Sequence, residues 1–172
     1  GITESPAASG FGFTKNGDGI LINTGTTNAF TGQVILNAGI LRVSGDATSG
    51  LGTGAATLTI NGGELQLFNS TARNYGRNTT IAGNTTVTLN RNSVGTAVTH
   101  TLGTLAIGSQ SVLVQAGSNA TAGTMGLTFG ATTLSGSPTF EVNSNGLGST
   151  TVLTLGALND GGTARTLIKS GN

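Results

Sequence analysis

The chain has 172 residues, of which only 8% are charged, with a formal net charge of +1 and no cysteine. So weak a charge excludes the long-range field that draws a protein to nucleic acid or an anionic membrane, and the missing thiols exclude disulfides and thiolate metal sites. Glycine, at 30 residues, is more than twice its usual share, which raises low-complexity disorder as a question that periodicity must answer.

In chain order, "FTKNGDGILI" (13–22) sets a lysine, an acid and two glycines before the apolar run Ile20–Ile22. Period-two alternation then recurs in "ATLTI" (56–60), "ELQLF" (64–68), "TTVTLN" (85–90), "SVLVQ" (111–115) and "PTFEVN" (138–143). Each puts Leu, Ile, Val or Phe on one face and Thr, Gln or Glu on the other, the pattern of a half-buried strand. Asn-Gly, Gly-Gly, Ser-Gly and Ala-Gly pairs between these runs supply positive-φ corners roughly every eight to fifteen residues, so the glycine belongs to an ordered rhythm. There is no apolar stripe of helical period, and strong helix formers are few. The predicted class is all-β. No apolar run is long enough to span a bilayer, and the first residues lack a basic, apolar, small-residue pattern, so an export signal would lie outside this chain.

Short strands with regular turns fit a sandwich, a barrel or a solenoid of stacked coils. A sandwich or barrel of this length fills the space between sheets with large side chains, yet aromatics are 4% and tryptophan is absent. A β-solenoid needs less, because its core is one side chain deep, with Asn, Thr and Ser in ladders at corners and on outer faces. At about 4.8 Å per coil, the chain would form about seven coils and a rod on the order of 30 to 35 Å long.

The last residues echo the first. Aligning Lys169 on Lys15 sets Ser170 on Asn16, Gly171 on Gly17 and Asn172 on Asp18. This suggests one β-solenoid domain over 1–172, cut from a longer array, with 167–172 opening the next repeat. Residues 13–44 carry Thr14-Lys15, Gly17 and Gly19, Ile20–Ile22, Asn28, Phe30-Thr31-Gly32, Val34, Asn37-Ala38-Gly39 and Ile40-Leu41. In that order they resemble the autotransporter-associated β-strand repeat, or passenger-associated transport repeat. Residues 51–67 resemble the segment that commonly follows it. The resemblance implies a right-handed parallel β-helix in the passenger region of an exported bacterial surface protein, with a place in passage to the cell surface and folding there.

Candidate chemistry is sparse. Asp18 in "NGDG" could begin a calcium loop, but such a site needs six or more oxygens, and no other acid lies within twelve residues; a positive-φ turn is the favoured reading. A phosphate cradle would need a helix after the glycines, and a strand follows. The carboxylates Glu4, Asp18, Asp46, Glu64, Glu141 and Asp160 are scattered, and only Asp46 and Glu64 stand at a one-coil distance suited to an acid pair. His100 has no neighbouring acid and is read as an ordinary strand histidine, inside or at an edge. "RNYGRN" (73–78), with Arg73, Tyr75 and Arg77, is read as an exposed loop that with Arg91 could form a glycan or anion patch. Thr57 and Thr59, like Thr86 and Thr88, are too few for an ice-binding array. The acceptor patterns at Asn69, Asn78, Asn84 and Asn119 follow from an Asn- and Thr-rich composition.

The sequence therefore assigns no catalytic, cofactor or metal residue. The expectation is a non-enzymatic structural module at the bacterial cell surface or in the extracellular space, forming a rod, stalk or filament. The ends show no capping helix, charge cluster or carboxyl-terminal proline, which favours continuation onto neighbouring repeats or onto identical subunits stacked head-to-tail. An adhesin that contacts surface glycans or other cells, and a polysaccharide-degrading β-helix, are the alternatives.

Overall fold

A computed structural model describes residues 10–45, 49–53 and 57–172. Strands come in pairs around an axis, a first-face strand followed after a short corner by a second-face strand. These are β1 (Phe13–Lys15) and β2 (Ile20–Asn23), β3 (Val34–Leu36) and β4 (Ile40–Ser44), and β5 (Leu58–Ile60) and β6 (Glu64–Phe68). From here a third face also carries strands. After β7 (Arg73–Asn74) come β8 (Thr79–Ile81), β9 (Thr85–Asn90), β10 (Gly95–Thr96) and β11 (Thr99–Thr101). The next turn is β12 (Leu105–Ile107), β13 (Ser111–Ala116) and β14 (Ala120–Thr128), followed by β15 (Thr132–Leu134), β16 (Thr139–Asn143) and β17 (Ser149–Thr154). The closing strands are β18 (Leu158–Asn159) and β19 (Ile168–Ser170).

The first and second faces are each seven-stranded, and every pairing on all three faces is parallel. The described residues form an all-β solenoid of parallel stacked coils, of about five turns. Because each strand lies in register on the one a turn earlier, inward residues form rows along the axis. On the first face one row runs Lys15, Leu36, Ile60, Ile81, Ile107, Leu134. On the second face another runs Leu41, Leu65, Val87, Val114, Val142. These aliphatic residues are buried, and a row one side chain deep suffices because opposite faces meet across the axis. The interior holds more than aliphatic rows, for Phe30, Phe129, Phe140, Tyr75, Arg77 and His100 are also buried.

The first corner is held by the predicted side-chain ladder. Asn37 Nδ2 donates to Asn16 Oδ1 over 2.7 Å, and Asn61 Nδ2 donates to Asn37 Oδ1 over 2.7 Å. These bonds step along the chain by 21 and 24 residues. Later bonds at the same corner, Ser111 N to Asn84 Oδ1 and Ser137 N to Ser109 Oγ, step by 27 and 28 residues. The longer turns, from β8 onward, hold β10, β11, β14 and β17 of the third face, while β7 lies in a shorter turn.

Candidate functional site

Of the polar groups that sequence would offer for chemistry, Asn69, Tyr75, Arg77 and His100 lie inside the solenoid. In "RNYGRN", Tyr75 and Arg77 share the parity of the buried Thr79 and Ile81, so their side chains point inward. Arg77 is fully buried. Its Nη1 donates to the Gly32 carbonyl at 3.3 Å and its Nη2 to the Phe30 carbonyl at 3.4 Å, while its Cζ lies 5.6 Å from the Phe30 ring centre. The guanidinium therefore reaches past the intervening turn, where Gly52 leaves it room. A Cβ on Gly52 would stand 2.3 Å from Nη2 and 2.5 Å from the Phe30 oxygen. Burial pulls the Arg77 pKa below its ordinary value, because an interior disfavours the charged form. What the arrangement does is brace three successive turns, with carbonyl oxygens and an aromatic face receiving the charge.

Beside it, Tyr75 receives a hydrogen bond on its hydroxyl from Asn69 Nδ2 and lies 6.1 Å, centre to centre, from the His100 ring. His100 is inside, in a third-face row with Leu127 and Leu153. Two of the three residues expected to present an exposed patch are thus core residues, and the loop reading of Tyr75 and Arg77 is corrected by their inward parity. Arg91 is also engaged, its Nη1 donating at 2.7 Å to the carbonyls of both Ser70 and Thr96.

The carboxylates remain apart. Glu4 and Asp46 lie outside the described residues, so the Asp46–Glu64 pairing has no geometry to report. Glu64 and Glu141 share one outward row of the second face, with Thr86 and Leu113 between them. Three strand spacings separate them by about 14 Å, beyond the range in which two acids share a glycosidic bond. Glu64 instead accepts from Gln66 Nε2 at 2.8 Å and Thr88 Oγ1 at 2.6 Å, Gln66 accepts from Arg42 Nε at 2.6 Å, and Thr88 accepts from Gln115 Nε2 at 3.0 Å. The neighbouring row of Arg42, Gln66, Thr88 and Gln115, with Glu64 beside it, thus ties five side chains across four turns, and Arg42 also stacks 4.3 Å from the Phe68 ring centre. Asp18 stands in an exposed corner and Asp160 in a turn at the far end. Among the described residues, no three His, Cys, Asp or Glu side chains gather as a metal ion would need.

The other singled-out residues serve corners and faces. Thr59 lies on the first face and Thr86 and Thr88 on the second, so the threonine pairs do not continue one another. Asn69 is buried; Asn78 Oδ1 accepts from Thr104 N at 3.0 Å, Asn84 Oδ1 from Ser111 N at 2.8 Å, and Asn119 Nδ2 donates to the Arg91 carbonyl at 2.8 Å. Lys15 and Lys169 share a local turn, each Nζ donating to the carbonyl of the glycine two residues on, at 2.6 Å to Gly17 and 3.1 Å to Gly171. They stand on different faces, Lys15 ending β1 and Lys169 central in β19.

Several shallow grooves mark the described surface, one of them along the first face at Thr80, Ala106, Gln110 and Ser135. Another, of about 350 Å³, crosses the second face at Asn84, Thr86, Ser111, Thr139 and Glu141, offering hydroxyls, an amide and a single carboxylate. Two more lie at the first and last described coils, about 460 Å³ by Phe13, Leu21, Ile22 and Asn28, and about 280 Å³ by Phe140, Val142, Leu167 and Lys169. No family model, curated protein or solved structure matches this chain.

Proposed function

We propose that the chain is a structural module of an exported bacterial surface protein, a length of rod or stalk that extends by stacking coil upon coil. In this reading the coils wind right-handed and number seven, one for each strand of a long face, and the module aids the passage and folding of the polypeptide that carries it. The observation that supports it is the use of the side chains. Arg77, Arg91, the Asn16–Asn37–Asn61 ladder and the Arg42–Gln66–Glu64–Thr88–Gln115 row all tie one turn to the next. Polar groups arranged along an axis give a uniform shaft stiffness. The resemblance of residues 13–44 to passenger-associated repeats supports the bacterial surface as its place.

Oriented preparations of the chain should give a reflection at about 4.8 Å along the rod axis, and electron micrographs should show particles longer than one chain. Isolated globules without that reflection would overturn the rod. An antibody to the chain should label intact cells of the source bacterium, and labelling only after lysis would overturn the surface location.

A further inference from the structure

The grooves on the first and second faces differ in what their side chains already hold. On the first face Gln110 Nε2 donates to the Ala82 carbonyl and Ser135 Oγ to the Ile107 carbonyl, both at 3.3 Å. The groove on the second face is edged by two rows. One is Asn84, Ser111 and Thr139, on successive coils at the corner. The other, two residues further along each coil, is Thr86, Leu113 and Glu141. Strand spacing and rise set these six residues on a grid of about 10 Å by 7 Å, with the buried Val112 in its floor.

Most of the polar atoms of that grid make no bond within the protein. Asn84 accepts from the Ser111 N–H on Oδ1, and Glu141 accepts from Asn143 Nδ2 on Oε1. Among the described residues, Asn84 Nδ2, Glu141 Oε2 and the hydroxyls of Thr86, Ser111 and Thr139 have no hydrogen-bond partner. Glu141 is exposed, and no lysine or arginine lines the groove. An anion would therefore meet only a charge of its own sign. A metal ion would find one carboxylate where a hard cation gathers about six oxygens. A neutral sugar meets a fitting set: its C–H face covers Leu113, and its hydroxyls, each both donor and acceptor, reach an amide, three hydroxyls and a charged acceptor.

We propose that this groove binds a neutral polysaccharide, laid along the axis across β9, β13 and β16. Leu113 lies under a sugar ring, Glu141 Oε2 accepts from a sugar hydroxyl, and Asn84 Nδ2 donates to another. The site goes beyond the stacking reading and stands without it. An open groove leaves one side of the ligand in water, so each site is weak, with a dissociation constant on the order of 1 mM. Glu64, the other acid of the Glu141 row, is engaged by Gln66 and Thr88. The groove thus presents a single free carboxylate, which suits holding a glycan, whereas glycoside hydrolysis uses a pair.

The test is saturation-transfer NMR, which observes the ligand and works whether or not the chain assembles. Cellotetraose, mannotetraose and maltotetraose are the neutral probes, and trigalacturonate is the acidic one. At least one neutral probe should receive saturation from the protein, and trigalacturonate should receive none. Glu141→Gln should weaken that binding by at least about fivefold, because a charged acceptor becomes a neutral one. Leu113→Asp should abolish it by setting a hydrated charge where the ring lies. Glu141 is exposed, so its variant keeps the test open should Leu113→Asp lose its β-sheet circular dichroism. No transfer to any neutral probe at about 10 mM would overturn the site. So would equal transfer to trigalacturonate, or binding that is unchanged in Glu141→Gln or survives in a folded Leu113→Asp.

Discussion

The early and late turns solve the same problem of closing the third side in different ways. From β8 onward third-side strands do it, β10 and β11 and then β14 and β17: the last two pair over six residues, from Gly123 with Ser149 to Thr128 with Thr154, and bury Met125 and Leu127. In the turns that begin with β1 and β3, which are shorter, the third side carries no strand among the described residues, and side chains stand in for the ladder. Asn23 Nδ2 donates to the Gly50 carbonyl at 2.7 Å, Asn28 Nδ2 donates to Asn23 Oδ1 at 2.9 Å, and Arg77 reaches back to Phe30 and Gly32. Buried backbone carbonyls need partners wherever the chain runs. The comparison shows that a solenoid can shorten its turn if it places amides and a guanidinium inside.

The early solution depends on individual atoms and should be the easier to break. Gly52→Ala would press a methyl group against the Arg77 guanidinium and Phe30 at a backbone φ of 79°, where a side chain is also strained. Both penalties fall on one residue, and the expected loss is about 3 to 5 kcal/mol in denaturant unfolding. A loss under about 1 kcal/mol would mean that the brace is loose. In the late turns Leu127→Ala removes a fully buried side chain from a face whose backbone bonds survive, so the cost is that of a cavity, about 3 kcal/mol. Amide exchange should separate the two designs further: the β14 and β17 amides should stay protected in Leu127→Ala, while protection in residues 24–33 should collapse in Gly52→Ala. Equal effects on both regions would erase the distinction.

How much of this was legible in sequence depends on what lies between glycines. "ELQLF" and "TTVTLN" are β6 and β9 residue for residue, because their apolar-polar alternation is clean, although the outward Gln66, Thr88 and Asn90 are buried too. The third face was hidden. In β14, "ATAGTMGLT", Gly123 and Gly126 and small threonines blur the alternation, and Gly126 is there because a Cβ would meet the Thr99 side chain one turn away at 2.4 Å. That reason exists only once turns are stacked. The inward Arg77 was legible, by parity with Ile81, but a charged residue read alone suggests an exterior. The match of Lys169 to Lys15 carried a true local turn and no information about face, since face is set by distance from the previous corner.

The smallest effect expected lies at the corner, where early and late turns differ by side-chain type. Asn37 is the middle rung of its ladder, donating to Asn16 and accepting from Asn61, both exposed to solvent. Asn37→Ala breaks both bonds, but water can replace each, so the loss should be about 1 kcal/mol in the unfolding midpoint. The late corner has single links, such as Ser109 Oγ accepting from Ser137 N at 3.1 Å, and Ser109→Ala should lose about half as much. The informative measurement is the double variant Asn37→Ala with Asn61→Ala. These rungs share a bond, so its loss should fall short of the sum of the singles by a few tenths of a kcal/mol. A sum that is additive would mean each asparagine acts alone on its own turn, and that the early corners are no more continuous along the axis than the late ones.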